Sequence, residues 1–379
     1  MVYWYEVNER WQEASLVWCE SFRRVLMRGS DVPRELWVWC DVVGNADWVD
    51  GYMRRVMGLL GSVIDVRFET FDSSELELSE EVLVGLEATQ RCIDVSSIRI
   101  AVSRIEHYNV IRREKYPLPS AFGGEKGLNQ FDAPIVHCDI DGIFRDGYSI
   151  DEYEYAVWSE IAGAEEKRDI IVGVNEFDDI RTALATTHDS DFMDSLHGVY
   201  LNAGMLAFYR VSEIDLDDLG KYLLNAYCLE QDYLNTHISH RCEIGGEFNF
   251  TYRKHERELR LAYQDSVRNK PQSSQPPSPY YIKTDTCSHY LPNRDIPVGY
   301  TVPFFVHFYG EDKPFLKREL SDTEILLEAN GQSSVVIQGL PLYYYGEYYA
   351  YVHSIRMILS REFLDICRER FNEYLRIWG

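Results

Sequence analysis

Ala133-Pro134-Ile135-Val136-His137-Cys138-Asp139-Ile140-Asp141-Gly142 is the stretch on which the fold turns. A compact apolar run that ends in acidic residues reads as a buried central strand, and ligands of open α/β sheets bind at the carboxyl ends of such strands. Residues i and i+2 of a strand share a face, so Asp139 and Asp141 converge if the strand continues. If the chain turns there, one carboxylate meets a metal directly and the other reaches it from the bend. Either way, two hard oxygen ligands at this position suit Mg²⁺ or Mn²⁺.

Outward from this strand the first 210 residues alternate between the two periods. Strand patterns cover Val2 to Val7, Leu36 to Cys40 and Val63 to Phe68, and helical patterns cover Trp11 to Met27, Tyr52 to Leu60, Glu80 to Thr89 and Ile98 to Arg112. Beyond the acidic segment come strands at Ile170 to Val174, Val199 to Leu201 and Met205 to Tyr209, then helices at Leu216 to Asn225 and Gln231 to Ile238. Val302 to Phe308 is again strand-like, and a helix is predicted over much of Arg356 to Trp378. The series implies an α/β protein with a mostly parallel sheet and helices on its faces. Pro271 to Pro279 is too rich in proline for a helix or central strand and reads as a loop.

The 379-residue chain is 45% hydrophobic, enough for a large core, and its formal net charge is -24. That field disfavours nucleic-acid backbones as partners. A pyrophosphate entering it needs local positive charge, which a divalent cation supplies. The first eighteen residues lack the cationic start and apolar run of a secretory signal, and no stretch is apolar enough to span a bilayer. Eight cysteines at irregular spacing, without a CxxC pair, are expected to be free thiols in a cytoplasmic, reducing compartment.

A second cluster, His307-Phe308-Tyr309-Gly310-Glu311-Asp312-Lys313-Pro314-Phe315, follows an apolar strand. His307 offers an imidazole ligand suited to Mn²⁺ or Zn²⁺. Gly310 lets the backbone approach a phosphate, and Lys313 places an ammonium against one.

Together the two clusters resemble the family-8 glycosyltransferases, the glycogenin and bacterial galactosyltransferase group. The family's DxD is matched by Asp139 and Asp141, and its late HxxGxxKPW by His307, Gly310, Lys313 and Pro314, with Phe315 in place of Trp. Its NxG segment is matched by Asn202-Ala203-Gly204, its DQD-like helix start by Glu230-Gln231-Asp232, and its later Asn-containing loop by Glu247-Phe248-Asn249-Phe250. The resemblance spans Val2 to Phe315 in the family's order. It implies a GT-A-type, Rossmann-like mixed sheet flanked by helices over residues 1–315, with residues 316–379 as a C-terminal extension.

It also implies a metal-dependent transfer of a hexose, with retention, from a nucleotide-sugar donor, UDP-linked, to a carbohydrate, lipid or protein acceptor. Asp139, Asp141 and His307 become ligands of Mn²⁺, or of Mg²⁺, and Gly310 and Lys313 contact the diphosphate. Asn202, Glu230 and Gln231 face the reaction centre. Arg99 resembles the donor-binding arginine, with Arg104 its competitor, because Tyr116 to Asp132 looks inserted. After the first strand, Asn8 or Glu9 stands where the family contacts the base.

Two other readings stay open. An inverting transferase would use a carboxylate such as Asp189 or Asp191 as general base, and a noncatalytic carbohydrate-binding protein could keep the same fold. The tyrosine-rich tail from Leu342 to Tyr351 and the helix bearing Leu359, Phe363, Cys367 and Phe371 are expected to pack on the body, with exposed tyrosines available to an acceptor.

Overall fold

The computed structural model describes residues 1–88, 95–116, 133–176, 196, 199–224, 226, 228–250, 303–308, 313–316 and 346–378. These divide into two compact units: residues 1–12, 29–140 and 150–245, and residues 13–28, 141–149 and 246–379.

The first unit is a seven-stranded sheet. Its strands are β1 (Val2–Asn8), β2 (Glu35–Asp41), β3 (Asp65–Phe71), β4 (Ile135–Cys138), β6 (Ile170–Asn175), β7 (Leu201–Tyr209) and β8 (His240–Ile244), in the order β3-β2-β1-β4-β7-β6-β8. β3, β2, β1 and β4 are parallel neighbours, β7 runs against both β4 and β6, and β8 lies parallel to β6. The expected architecture, a Rossmann-like mixed sheet flanked by helices, is present.

Period two along β1 sends alternate side chains to helices on opposite faces. Val2 and Trp4 join a core with Trp37 and Trp39 of β2 and with Ile98, Val102, Ile105 and Tyr108 of the long helix α4 (Val95–Lys115). Helices α6 (Leu216–Leu223) and α7 (Glu230–His237) complete that layer through Leu219, Leu223, Tyr233 and Leu234. Tyr3 and Tyr5 point the other way. The Tyr3 hydroxyl donates to Glu154 of α5 (Ile150–Gly163) at 2.8 Å, and the Tyr5 and Tyr52 hydroxyls meet at 2.8 Å, Tyr52 lying on α2 (Val49–Leu60). Without these partners each buried hydroxyl would cost about 1–3 kcal/mol.

In the second unit α1 (Gln12–Leu26), which belongs to it from Glu13 onward, contributes Trp18 and Phe22 to an aromatic core with Phe144. Phe144 lies on β5 (Gly142–Phe144), which pairs antiparallel with β9 (Phe305–His307), and its ring also meets Phe305. A helical stretch over residues 346–354 packs here: Tyr351 is buried and donates to the Phe144 carbonyl at 2.8 Å, and Glu347 binds Arg145 at 2.7 Å. Tyr348 is buried beside Phe308 and Phe315, so these two tyrosines serve packing. Tyr343, Tyr344 and Tyr345 lie outside the described residues.

Some elements differ from the sequence expectation, strands β5 and β8 among them, neither of which the sequence pattern marks. In place of the two strands read on either side of Asn202-Ala203-Gly204 there is one, β7, which begins at Leu201 and runs through this segment, where the buried Asn202 side chain accepts the Gly204 N–H at 2.8 Å and its polarity is absorbed within the strand. The expected C-terminal helix is present from Arg361 to Trp378, preceded by a short 3₁₀ turn, Arg356–Ile358. Ser360 makes the break: its hydroxyl accepts the Phe363 N–H at 3.2 Å, as an N-cap does. Helix α5 has no counterpart in the sequence reading. The proline-rich stretch Pro271 to Pro279 lies outside the described residues.

Candidate functional site

In the first unit the central group is Asp139, just beyond the end of β4. Its backbone N–H donates to the Gly204 carbonyl at 2.8 Å, which extends the β4 to β7 pairing by one residue. The carboxylate lies 3.7 Å from the Arg104 guanidinium and 3.8 Å from His137 Nε2. Arg104 and His107 sit three apart on α4 and therefore share a face. Arg104 donates to Glu230 at 2.5 Å and lies 3.7 Å from Glu6, while His107 Nδ1 stands 2.6 Å from Glu6 Oε1. The His107 ring lies flat on Trp39, with ring centres 3.9 Å apart.

Burial opposes the charge of Arg104, but Glu230, Asp139 and Glu6 outweigh it and hold the guanidinium protonated. Burial also lowers His137, against the pull of Asp139, so that the imidazole stays neutral near pH 7 and its Nδ1–H donates to the Ala203 carbonyl at 3.1 Å.

The start of α7 is tied to β7 by side chains rather than by a strand ladder. Gln231 accepts the Ala203 N–H at 2.7 Å through its carbonyl oxygen and donates to Glu176 at 2.6 Å. Asn235 accepts the Leu201 N–H at 2.7 Å and donates to the Leu201 carbonyl at 2.9 Å. Asp232 receives the Tyr200 hydroxyl at 2.6 Å and the Cys228 N–H at 2.8 Å. The chain enters this helix through Leu229 at φ +47°, a strained conformation for a branched side chain.

In the second unit Asp141 is the central group. Its Oδ1 stands 3.0 Å from His307 Nε2, and Lys313 Nζ pairs with its Oδ2. The Phe308 N–H donates to the Asp141 carbonyl at 2.9 Å, and the β5 to β9 register sets Gly142 opposite His307. Burial alone would raise the Asp141 carboxyl, but His307 and Lys313 outweigh it and hold the group well below the usual carboxylate range.

Within the second unit Asp141 and His307 offer a carboxylate oxygen and an imidazole nitrogen 3.0 Å apart, and Asp139 precedes Asp141 by two residues in the chain. Two hard oxygens and one imidazole nitrogen are a donor set for Mn²⁺ or Mg²⁺.

The other expected residues fall as follows. Asn202 lies buried in β7, and Glu230 and Gln231 open α7. The Asn8 side chain caps a 3₁₀ turn by accepting the Trp11 N–H at 3.2 Å. Of the two arginines considered, Arg104 joins the carboxylates, and Arg99 forms no ion pair among the described residues. Gly310, Asp189 and Asp191 lie outside the described residues. Glu6, His107 and Glu176 were not singled out in the sequence. The signal for Glu6 is a carboxylate two residues after Trp4 on the same strand face, and for His107 its spacing of three from Arg104.

No family model matches the sequence, and no curated protein gives a significant match. Among solved structures, the chain is similar to the galactosyltransferase LgtC in complex with donor and acceptor sugar analogues. The identity is 14%, over 88% of this chain and 97% of LgtC, at a TM-score of 0.43. It is similar to WbbM, a bifunctional glycosyltransferase, at 12% identity over 89% of this chain and TM-score 0.46, and spans 50% of the WbbM chain. GlyE, a glycosyltransferase of Streptococcus pneumoniae TIGR4, is similar at 10% identity over 91% of this chain and 63% of its own, with a TM-score of 0.42.

Proposed function

We propose that the protein is a metal-dependent, GT-A-type glycosyltransferase that transfers a hexose from a nucleotide-sugar, UDP-linked, with the retaining stereochemistry of family 8. The observation that carries this reading is the meeting of Asp141 and His307, residues from two motifs far apart in the chain, at 3.0 Å within the second unit.

Glycosyl transfer builds negative charge on a diphosphate oxygen and positive charge on the sugar ring. Asp139, Asp141 and His307 would hold a divalent cation, which when bound supplies Lewis-acid stabilisation of the departing diphosphate. Lys313 adds a positive charge beside Asp141 for the same anion. Glu230 and Asn202 face the sugar. Gln231, whose amide is engaged at both ends, acts by fixing the start of α7 against β7.

A panel of nucleotide-sugars, incubated with the full chain with and without Mn²⁺, tests the reading through donor hydrolysis and the anomeric configuration of any product. Mn²⁺-dependent release of UDP is the expected result. A folded protein that turns over no donor would sink the catalytic reading and leave a carbohydrate-binding role.

A further inference from the structure

Gly142 follows Asp141 directly and opens β5, a strand of three residues whose whole ladder is Gly142 to His307, Ile143 to Val306 and Phe144 to Phe305. Backbone bonds close both ends of this short ladder: Phe308 N–H to the Asp141 carbonyl and Arg145 N–H to the Phe304 carbonyl, each at 2.9 Å. The far side of β9 is fixed as well, because the Phe250 N–H donates to the Phe305 carbonyl at 2.8 Å and the His307 N–H to the Phe250 carbonyl at 3.1 Å.

A Cβ on Gly142 would stand 2.6 Å from the Val306 carbonyl oxygen, and 2.3 and 2.7 Å from Cζ and Cε1 of Phe305. The carbonyl belongs to the facing backbone and cannot swing aside. The Phe305 ring is fully buried and packs on Phe144 with ring centres 4.9 Å apart. A strand glycine marks close approach of another backbone. Here the approach falls at the pair that carries His307, one residue from Asp141.

We propose that Gly142 is a positioning residue for the metal site: its missing side chain sets the β5 to β9 separation at which His307 Nε2 meets Asp141. The inference rests on the metal-site reading above and adds a residue that touches no ligand itself. A side chain at position 142 moves β9 away from β5 and takes His307 with it. The metal then loses its nitrogen donor, although all three ligand residues are still in the chain.

The test is direct titration of chelator-treated full-length protein with Mn²⁺, read by electron paramagnetic resonance, alongside a thermal melt. Gly142→Ala should weaken Mn²⁺ binding about 10-fold or more, the scale found when groups that orient metal ligands are disturbed. Gly58→Ala, at a position where an added Cβ meets nothing within 4 Å, should leave it unchanged. Gly142→Ala combined with Phe305→Leu frees the ring but not the Val306 carbonyl, so it should fold at least as well as the single variant and still bind Mn²⁺ weakly. That double variant decides the matter if the single one does not fold. Wild-type Mn²⁺ affinity in either variant would overturn the proposal, as would a lowered melting temperature with affinity intact. His307→Ala separates the two levels: if it binds Mn²⁺ as tightly as the wild type, the metal-site reading itself falls, and Gly142 with it.

Discussion

Arg104 in the first unit and Lys313 in the second are both cations set against carboxylates, in opposite proportions. Arg104 serves three acidic groups, Glu6, Asp139 and Glu230, drawn from β1, the end of β4 and the start of α7. Among the described residues Lys313 pairs with Asp141, which also faces His307. One cation among three anions is a structural keystone, because removing it leaves like charges crowded together. A lysine and an imidazole on one carboxylate gather fewer charges, so losing a partner there strands one group rather than crowding three.

The strongest way to break this contrast is Arg104→Ala. It should destabilise the protein by about 3 kcal/mol, since an ion network stripped of its partner leaves uncompensated charge. Arg104→Lys should recover part of that loss but not all, because an ammonium cannot span carboxylates as a planar fork does. Urea melts of the three proteins measure both effects, and equal midpoints for wild type and Arg104→Ala would erase the keystone role.

Next in size is Asp141→Asn. Donor hydrolysis should fall about 100-fold, equivalent to about 2.7 kcal/mol, and the urea midpoint should fall as well, by less than for Arg104→Ala, because Lys313 loses its anion. A large loss of stability without loss of turnover would reverse the comparison between the units.

Gln231→Leu probes the polar ties within the first unit. It leaves the Ala203 N–H and the Glu176 carboxylate without their partner and should cost about 2 kcal/mol. Hydrogen exchange at Ala203 should accelerate, whereas unchanged protection would assign the tie elsewhere.

The smallest effect concerns thiols. Burial pushes Cys40 up to about 12, and burial with Asp232 nearby pushes Cys228 up to about 12. Native alkylation at pH 8 should therefore be far slower than in urea, and should rise about tenfold per pH unit without levelling off near 8.5. Rapid labelling of Cys40 in the native protein would show that β2 opens readily.

Much of the fold was legible because its central strands are apolar runs, and two-residue periodicity in Val2 to Val7 already separates Trp4 from Tyr3 and Tyr5. The helix from Ile150 to Gly163 escaped notice although Ile150, Tyr153, Glu154, Val157 and Ile161 follow a helical spacing. Tyr155 and Trp158, large aromatics on its exposed side, blur the contrast between faces. β5 and β9 are three residues each, too short for any period to register, and their pairing is a long-range fact that local pattern does not encode. Of the candidate site, the metal-ligand types and their order were readable from motif spacing. The three-way clasp on Arg104 was not, because Glu6, Arg104 and Glu230 are distant in sequence and each looks like an ordinary surface charge alone.

The β5 to β9 pairing has a consequence in time. Gly142 and Asp141 leave the ribosome long before His307 does, so the Asp141 side of the pairing waits while the residues between them are made. Domains fold as units as their residues become available, and the residues of β1 through β8 all precede β9. The large sheet can thus form first, and the Asp141 to His307 pairing waits until residue 307 has been made. A nascent chain stalled before Phe305 would carry both aspartates and yet lack His307 and the strand that holds it.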